Sequence, residues 1–242
     1  MGGSANGDFM NVDAVLFDVF GTLTDWRSGV TGELAAAGRA VGVAADWAGV
    51  ADAWRGAYRP TIARVLQGEL PWMPLDALHR LTLDGVLAEG GLGELGDAER
   101  AELVRAWHRL PVWPDVVAGL DRLHEGSALV GTLSNGGVGA LARLARRAGL
   151  RFDCVLSAEL ARSFKPDPRV YRMAVDALGT TPDRVVLAAC HPDDLAAAVA
   201  VGLRTAYLPR PLEWGPGAEP VPVPDGVDAV VETVGELADL LG

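Results

Sequence analysis

Val12-Asp13-Ala14-Val15-Leu16-Phe17-Asp18-Val19-Phe20-Gly21-Thr22-Leu23-Thr24 decides how the rest of the chain is read. Apart from Asp13, residues 12–17 form a continuous apolar run, as a strand buried on both faces does. The run stops at a carboxylate, and Gly21 and Thr22 then open a loop. That puts Asp18 at the carboxyl end of a sheet, the edge where open α/β folds bind ligands. A lone aspartate there would be a turn former or a helix cap. Asp18 is read differently because other strand ends also carry polar clusters.

Similar apolar runs recur over 127–133, 152–156, 184–189, 203–208 and 227–231, separated by helix-like segments. Pro114 suits a first helical position, and Gly126, Gly149, Gly179 and Gly202 each follow a periodic run where a C-terminal cap belongs. Alternating strands and helices predict an α/β fold, a Rossmann-like core of parallel strands with helices on both faces. The alternation breaks over 24–111, which reads instead as helices at 31–42, 47–66, 75–87 and 98–110. Together with Trp113 just beyond, this stretch contains six of the seven tryptophans. The expected organisation is a flexible leader at 1–10, a core built from 11–23 and 112–242, and a helical cap at 24–111 inserted after the first strand. The Pro- and Gly-rich segment 209–225 is expected to be a loop crossing the surface.

Half of the 242 residues are hydrophobic and 22% are charged, which excludes a disordered chain. No apolar stretch reaches the roughly 18 residues that span a bilayer. The first residues are neither basic nor apolar, unlike a secretory signal. Two cysteines make no disulfide framework, so a reducing cytoplasm is expected. A net charge of −11 argues against nucleic acid or an anionic membrane as partner. A small anionic substrate is still admissible, since surface charge is screened beyond about 8 Å and local cations govern a pocket.

Three more clusters sit at strand ends. Thr132-Leu133-Ser134-Asn135-Gly136 offers a hydroxyl, an amide and flexible backbone that can grip an anion. Ser163-Phe164-Lys165-Pro166-Asp167-Pro168-Arg169-Val170-Tyr171 places a lysine before a proline, where it suits a site better than a helix start. Near Asp18, Lys165 would keep that carboxylate ionised. Ala189-Cys190-His191-Pro192-Asp193-Asp194 ends a further strand and starts a helix.

Four polar strand ends in this order, with a helical insertion after the first, resemble the haloacid dehalogenase superfamily from Asp13 to the C-terminus. Phosphatases of that superfamily carry a second aspartate two places after the nucleophile, to protonate an alkoxide, and use magnesium. Here that place is Phe20, and a departing halide needs no proton. Asp18-Val19-Phe20-Gly21-Thr22, Ser134-Asn135-Gly136 and Lys165-Pro166-Asp167 with Arg169-Val170-Tyr171 are similar to the L-2-haloacid dehalogenase (type II) branch, as is Trp54-Arg55 in the insertion.

The resemblance implies attack by Asp18 on C2 of a short (S)-2-haloalkanoic acid, inversion to an ester, and hydrolysis to the (R)-2-hydroxy acid without a cofactor. It implies that Lys165 steadies the Asp18 charge and Tyr171 orients it. Thr22 and Ser134 would hold the substrate carboxylate, Arg55 and Asn135 would face the halide or the carboxylate, and Phe20 would line the pocket. Asp194 is the one outright match to the fourth motif, in which Ala189, His191 and Asp193 replace serine, asparagine and tryptophan. The departure suggests His191 as the base for ester hydrolysis, with Asp25 orienting its ring. The resemblance also implies a homodimer. Two other readings stay open: a magnesium-dependent phosphatase using Asp193 and Asp194, and a catalytically weak binding protein.

Overall fold

A computed structural model describes Phe9 and residues 11–242. The expected leader lies outside these residues except for Phe9, which is buried in the core. The chain runs through β1 (Ala14–Phe17), α1 (Trp26–Ala40), α2 (Trp47–Leu66), α3 (Leu75–Glu89), α4 (Asp97–Ala106) and α5 (Val116–Leu123). It continues through β2 (Leu129–Ser134), α6 (Val138–Ala148), β3 (Cys154–Ser157), α7 (Pro168–Leu178) and β4 (Val185–Ala189). It ends with α8 (Pro192–Val201), β5 (Arg204–Tyr207), β6 (Ala229–Val230) and α9 (Val234–Leu241).

The six strands form one parallel sheet in the order β3-β2-β1-β4-β5-β6. β1 is central, with Ala14 paired to Leu129 on one side and Val185 on the other. All four β1 residues are buried, which is why their sequence does not alternate. Strand order reverses at β1, so its carboxyl end opens on the crevice between diverging connections. Gly149, Gly179 and Gly202 close α6, α7 and α8 in the left-handed conformation. Gly126 does not, because α5 has already ended at His124, and Pro114 sits in the turn ahead of α5 rather than in its first position.

Helices α1 to α4 pack on one another, and α2 has the bounds 47–66 read from the sequence. Helix α1 starts five residues earlier than expected, at Trp26, because the Asp25 carboxylate caps it by accepting from Ser28 N at 3.0 Å. The chain leaves the sheet layer and returns to it at one place: Thr24 bridges Val112, Asp25 N donates to Pro111 O, and Trp113 N donates to Leu23 O. Trp26, Trp54 and Trp107 are buried, and Trp107 stacks on His79 at 4.3 Å between ring centroids. No described helix is long and apolar enough to cross a membrane.

His79 is buried with no partner for either ring nitrogen among the described residues, and burial, aided by the Arg55 charge, pushes its pKa down to about 3. A neutral ring with two unsatisfied polar atoms costs stability. His79→Phe keeps the aromatic stack and removes both atoms, so it is expected to stabilise the fold by about 1 kcal/mol. A thermal melt reads this as a Tm rise of roughly 2–4 °C. A lower Tm would mean that the ring nitrogens are satisfied in solution.

Candidate active site

Four loops at the carboxyl ends of β1, β2, β3 and β4 meet α2 around a cavity of about 290 Å³. Asp18 follows β1, Ser134 ends β2, Lys165 precedes α7, and His191 and Asp194 flank the start of α8. All five line the cavity, as do Phe20, Arg55 and Asn135. The sequence thus brought eight of its candidates to one place.

Asp18 is only 6% exposed and every contact to its carboxylate is cationic or donating. Lys165 Nζ donates to Oδ1 at 2.9 Å, Thr22 Oγ1 donates to Oδ2 at 2.8 Å, and His191 Nδ1 lies 3.1 Å from Oδ2. Burial alone would raise the Asp18 pKa, but the Lys165 charge and the His191 bond outweigh it and hold the carboxyl well below the carboxylate range. Lys165 also donates to Asp194 Oδ2, and between two carboxylates its pKa rises above that of a free lysine despite burial. Burial and the neighbouring Asp18 push Asp194 up. Asn135 fixes the lysine backbone: its Oδ1 accepts from Lys165 N at 2.6 Å and its Nδ2 donates to Tyr58 Oη at 2.8 Å.

Several expected roles change. Tyr171 does not orient Asp18; its hydroxyl donates to Asp194 Oδ1 at 2.5 Å. Thr22 is fully buried between Asp18 and Cys190 N, outside the cavity lining, so it positions the nucleophile rather than the substrate. Asp25 is not the partner of His191, since its side chain is committed to the α1 cap. His191 Nε2 faces Glu213 Oε1 at 3.0 Å, and the imidazole makes no capping bond to α8. Burial alone would lower the His191 pKa, but its contacts to Cys190, Asp18 and Glu213 raise it well above the usual value. The Cys190 thiol is pushed up by its own burial, which leaves Asp18 and Glu213 as the anions that hold the imidazole proton.

Two residues at the site had not been singled out. Glu213 comes from the loop 209–225, is 4% exposed, and also accepts from Trp26 Nε1 at 3.1 Å. Nothing periodic marks it in the sequence. Tyr58 had a signal: it lies three residues after Arg55 on the same face of α2. The Arg55 guanidinium stands 4.8 Å from the Tyr58 ring centroid and 4.0 Å from Glu213 Oε1. Its one hydrogen bond among the described residues, to Phe20 O, is long at 3.5 Å, so its donors face the cavity largely unspent.

A divalent cation fits poorly here. Lys165 Nζ occupies the space between Asp18 and Asp194, Phe20 brings no carboxylate, and Asp193 pairs bidentately with Arg59 at 2.7 and 2.8 Å. Donor atoms of Asp18, Cys190 and His191 do lie within 4.8 Å of one another. There the His191 nitrogen is engaged with Asp18 and burial keeps the thiol protonated.

Comparison with known proteins agrees with this geometry. A haloacid dehalogenase-like hydrolase family profile matches residues 12–202. An (S)-2-haloacid dehalogenase of Xanthobacter autotrophicus is 30% identical over 208 residues, covering 82% of this chain and 76% of that protein. The crystal structure of a defluorinating L-2-haloacid dehalogenase superposes with a TM-score of 0.92 at 39% identity, covering 98% of this chain and 97% of the other. The Xanthobacter autotrophicus L-2-haloacid dehalogenase with chloropropionic acid covalently bound superposes with a TM-score of 0.80 at 27% identity, covering 95% and 98%. The chain belongs to the haloacid dehalogenase-like hydrolase family, in its L-2-haloacid dehalogenase branch.

Proposed function

We propose that the chain hydrolyses short (S)-2-haloalkanoic acids to (R)-2-hydroxy acids through an ester on Asp18. One observation carries the reading: an ionised, desolvated Asp18 is held by Lys165 at the floor of a small cavity that has Phe20 where a phosphatase needs an acid. A carboxylate is a weak nucleophile, and alignment in a closed site supplies up to about 7–11 kcal/mol. The helices over 24–111 act as the cap, with Ile62 and Leu66 of α2 giving an apolar wall for the carbon chain. Ser134 Oγ accepts from Gly136 N at 3.2 Å and keeps its own proton for a substrate carboxylate oxygen. Arg55 supplies the nearby cationic donors, for that carboxylate or the leaving halide.

Carbon–halogen cleavage of this kind uses no cofactor; its partners are the haloacid and water. Buried Cys190 and half-buried Cys154, both free thiols, suit a reducing cytoplasm. A homodimer is the expected assembly. The test is halide release in EDTA from chloro-, bromo- and fluoroacetate and from both 2-chloropropionate enantiomers. Of the two 2-chloropropionates, release from the (S) enantiomer alone is expected. Magnesium-dependent phosphate release from p-nitrophenyl phosphate, with no halide from any of the acids, would overturn the reading.

A further inference from the structure

We propose that Glu213 is a positioning residue for ester hydrolysis: it fixes His191 with Nδ1 aimed at the Asp18 carboxyl group, and esterification of Asp18 itself frees that nitrogen to act as the base. The inference rests on the dehalogenase reading above and adds to it a residue, a tautomer and an order of proton movements.

The geometry carries the first part. A carboxylate only accepts, so Glu213 Oε1 at 3.0 Å requires the proton on Nε2. The other nitrogen, Nδ1, lies 3.1 Å from Asp18 Oδ2 and therefore beside the carbon that water must attack. A buried carboxylate behind an imidazole, with the reacting group in front, is the arrangement by which hydrolases set a histidine's tautomer and stabilise its cation. The space for this pair is cut into the nucleophile loop. Gly21 has φ +97°, and a Cβ there would overlap the Glu213 carboxylate and come within 3.2 Å of His191 Cε1. The loop carrying Glu213 is pinned independently. Arg210 Nε donates to Thr22 O at 2.8 Å, and its two terminal nitrogens hold Asp115 at 2.8 and 3.1 Å.

The charges carry the second part. His191 is faced by Asp18 from the β1 loop, Glu213 from the 209–225 loop, the neutral Cys190 thiol and the Tyr207 ring of β5. Beyond these stand Lys165 on Asp18, Arg55 beside Glu213, and Asp193 and Asp194 in the first turn of α8. At rest the imidazole is a cation between two carboxylates, and so cannot be a base. When an Asp18 oxygen bonds to C2, the carbon–halogen bond breaks and halide leaves with the electron pair. The Asp18 charge is then gone, and one of the two anions that held the proton no longer does so. The Nδ1 proton departs to solvent with the halide.

Water then adds to the Asp18 carboxyl carbon and gives a proton to Nδ1. The ester C–O bond breaks, and the hydroxy-acid oxygen takes the proton from Nδ1. Asp18 is left as a carboxylic acid whose proton returns to Nδ1, restoring the resting pair. The sum is haloacid plus water to hydroxy acid, halide and one proton, and that proton is released in the first half-reaction.

Glu213→Gln keeps the shape and removes the charge. In single turnovers with 2-chloropropionate its first halide release is expected within a few-fold of the unsubstituted protein. Its ester should decay roughly 10²-fold or more slowly, and mass spectrometry should find the adduct on the Asp18 peptide. Removing an anion behind the ring weakens proton binding, so the acid limb of ester decay should move to lower pH by about one unit. Ester decay with an unaltered rate and an unmoved acid limb would make Glu213 merely structural and overturn the proposal. A second measurement needs no variant: a pH indicator in the unsubstituted protein should report the proton with the halide. A proton appearing only with the hydroxy acid would also overturn it. If the unsubstituted protein released no halide, the dehalogenase reading itself would fall.

Discussion

Asp18→Asn is expected to abolish halide release, a loss of at least about 10⁴-fold in kcat, and to leave no ester detectable by mass spectrometry. The reason is chemical rather than architectural. A carboxamide has no anionic lone pair with which to displace halide, although it fills the same volume and can still accept from Thr22. Lys165 keeps Asp194 as its counter-ion, so the variant should fold. Halide electrodes and intact-mass measurement read the two halves of the claim. Turnover retained with no adduct would mean that water attacks the substrate directly and that Asp18 is not the nucleophile.

Lys165→Met is expected to cost both activity and about 3–5 kcal/mol of stability near neutral pH, because it leaves two buried carboxylates with no cation between them. The pH dependence has a definite sign. Asp18 is depressed on folding, so its contribution is present above its ordinary value of 3.8 and is lost as pH falls toward its lower folded value. Lys165 is raised, so its contribution is full below 10.5 and is lost as pH rises through its higher folded value. Asp194 is raised and opposes the other two, withdrawing stability once pH exceeds 3.8. In the unsubstituted protein Asp18 and Lys165 are therefore expected to change little between pH 5 and 7, which leaves Asp194 as the one of the three that withdraws stability as pH rises. The variant should recover stability over the same interval, as acid supplies the proton that one carboxylate needs. Urea unfolding at pH 5 and pH 7 tests this, and equal losses at both would show that the two carboxylates do not share the charge of Lys165.

The parts of the fold that follow from local patterning were legible in the sequence. Buried parallel strands read as apolar runs, and α2 carries its own periodicity, so both appeared close to their true bounds. Asp18, Ser134, Lys165 and His191 could be placed at one cavity because each sits beside a strand or helix end that fixes its direction. Asp25 and Glu213 show where such reading stops. Asp25 is near Asp18 along the chain, but a cap at the α1 start claims its side chain. Glu213 reaches the site from a loop without period, held there by Trp26 and Arg55, both distant from it in sequence, while Arg210 of the same loop anchors it to Thr22. Thr22 and Tyr171 lie near that edge with neighbours other than those expected. A sequence states which sheet edge a side chain occupies, whereas a shift of one hydrogen-bond length decides whether it touches substrate or props up the group that does.

The position of β1 at the centre of the sheet also bears on synthesis. Ala14–Phe17 leaves the ribosome ahead of both strands it pairs with, and its partners at Leu129 and Val185 follow only after the whole helical insertion. During that interval a fully apolar strand has both edges unsatisfied, the condition in which nascent chains associate wrongly. The helical insertion, whose contacts are local, is made during the same wait. Its neck pairs Thr24 with Val112, both of which precede β2 in the chain. The strand that leads into the nucleophile is thus made before either of the strands it pairs with, and the long insertion between them folds through contacts of its own.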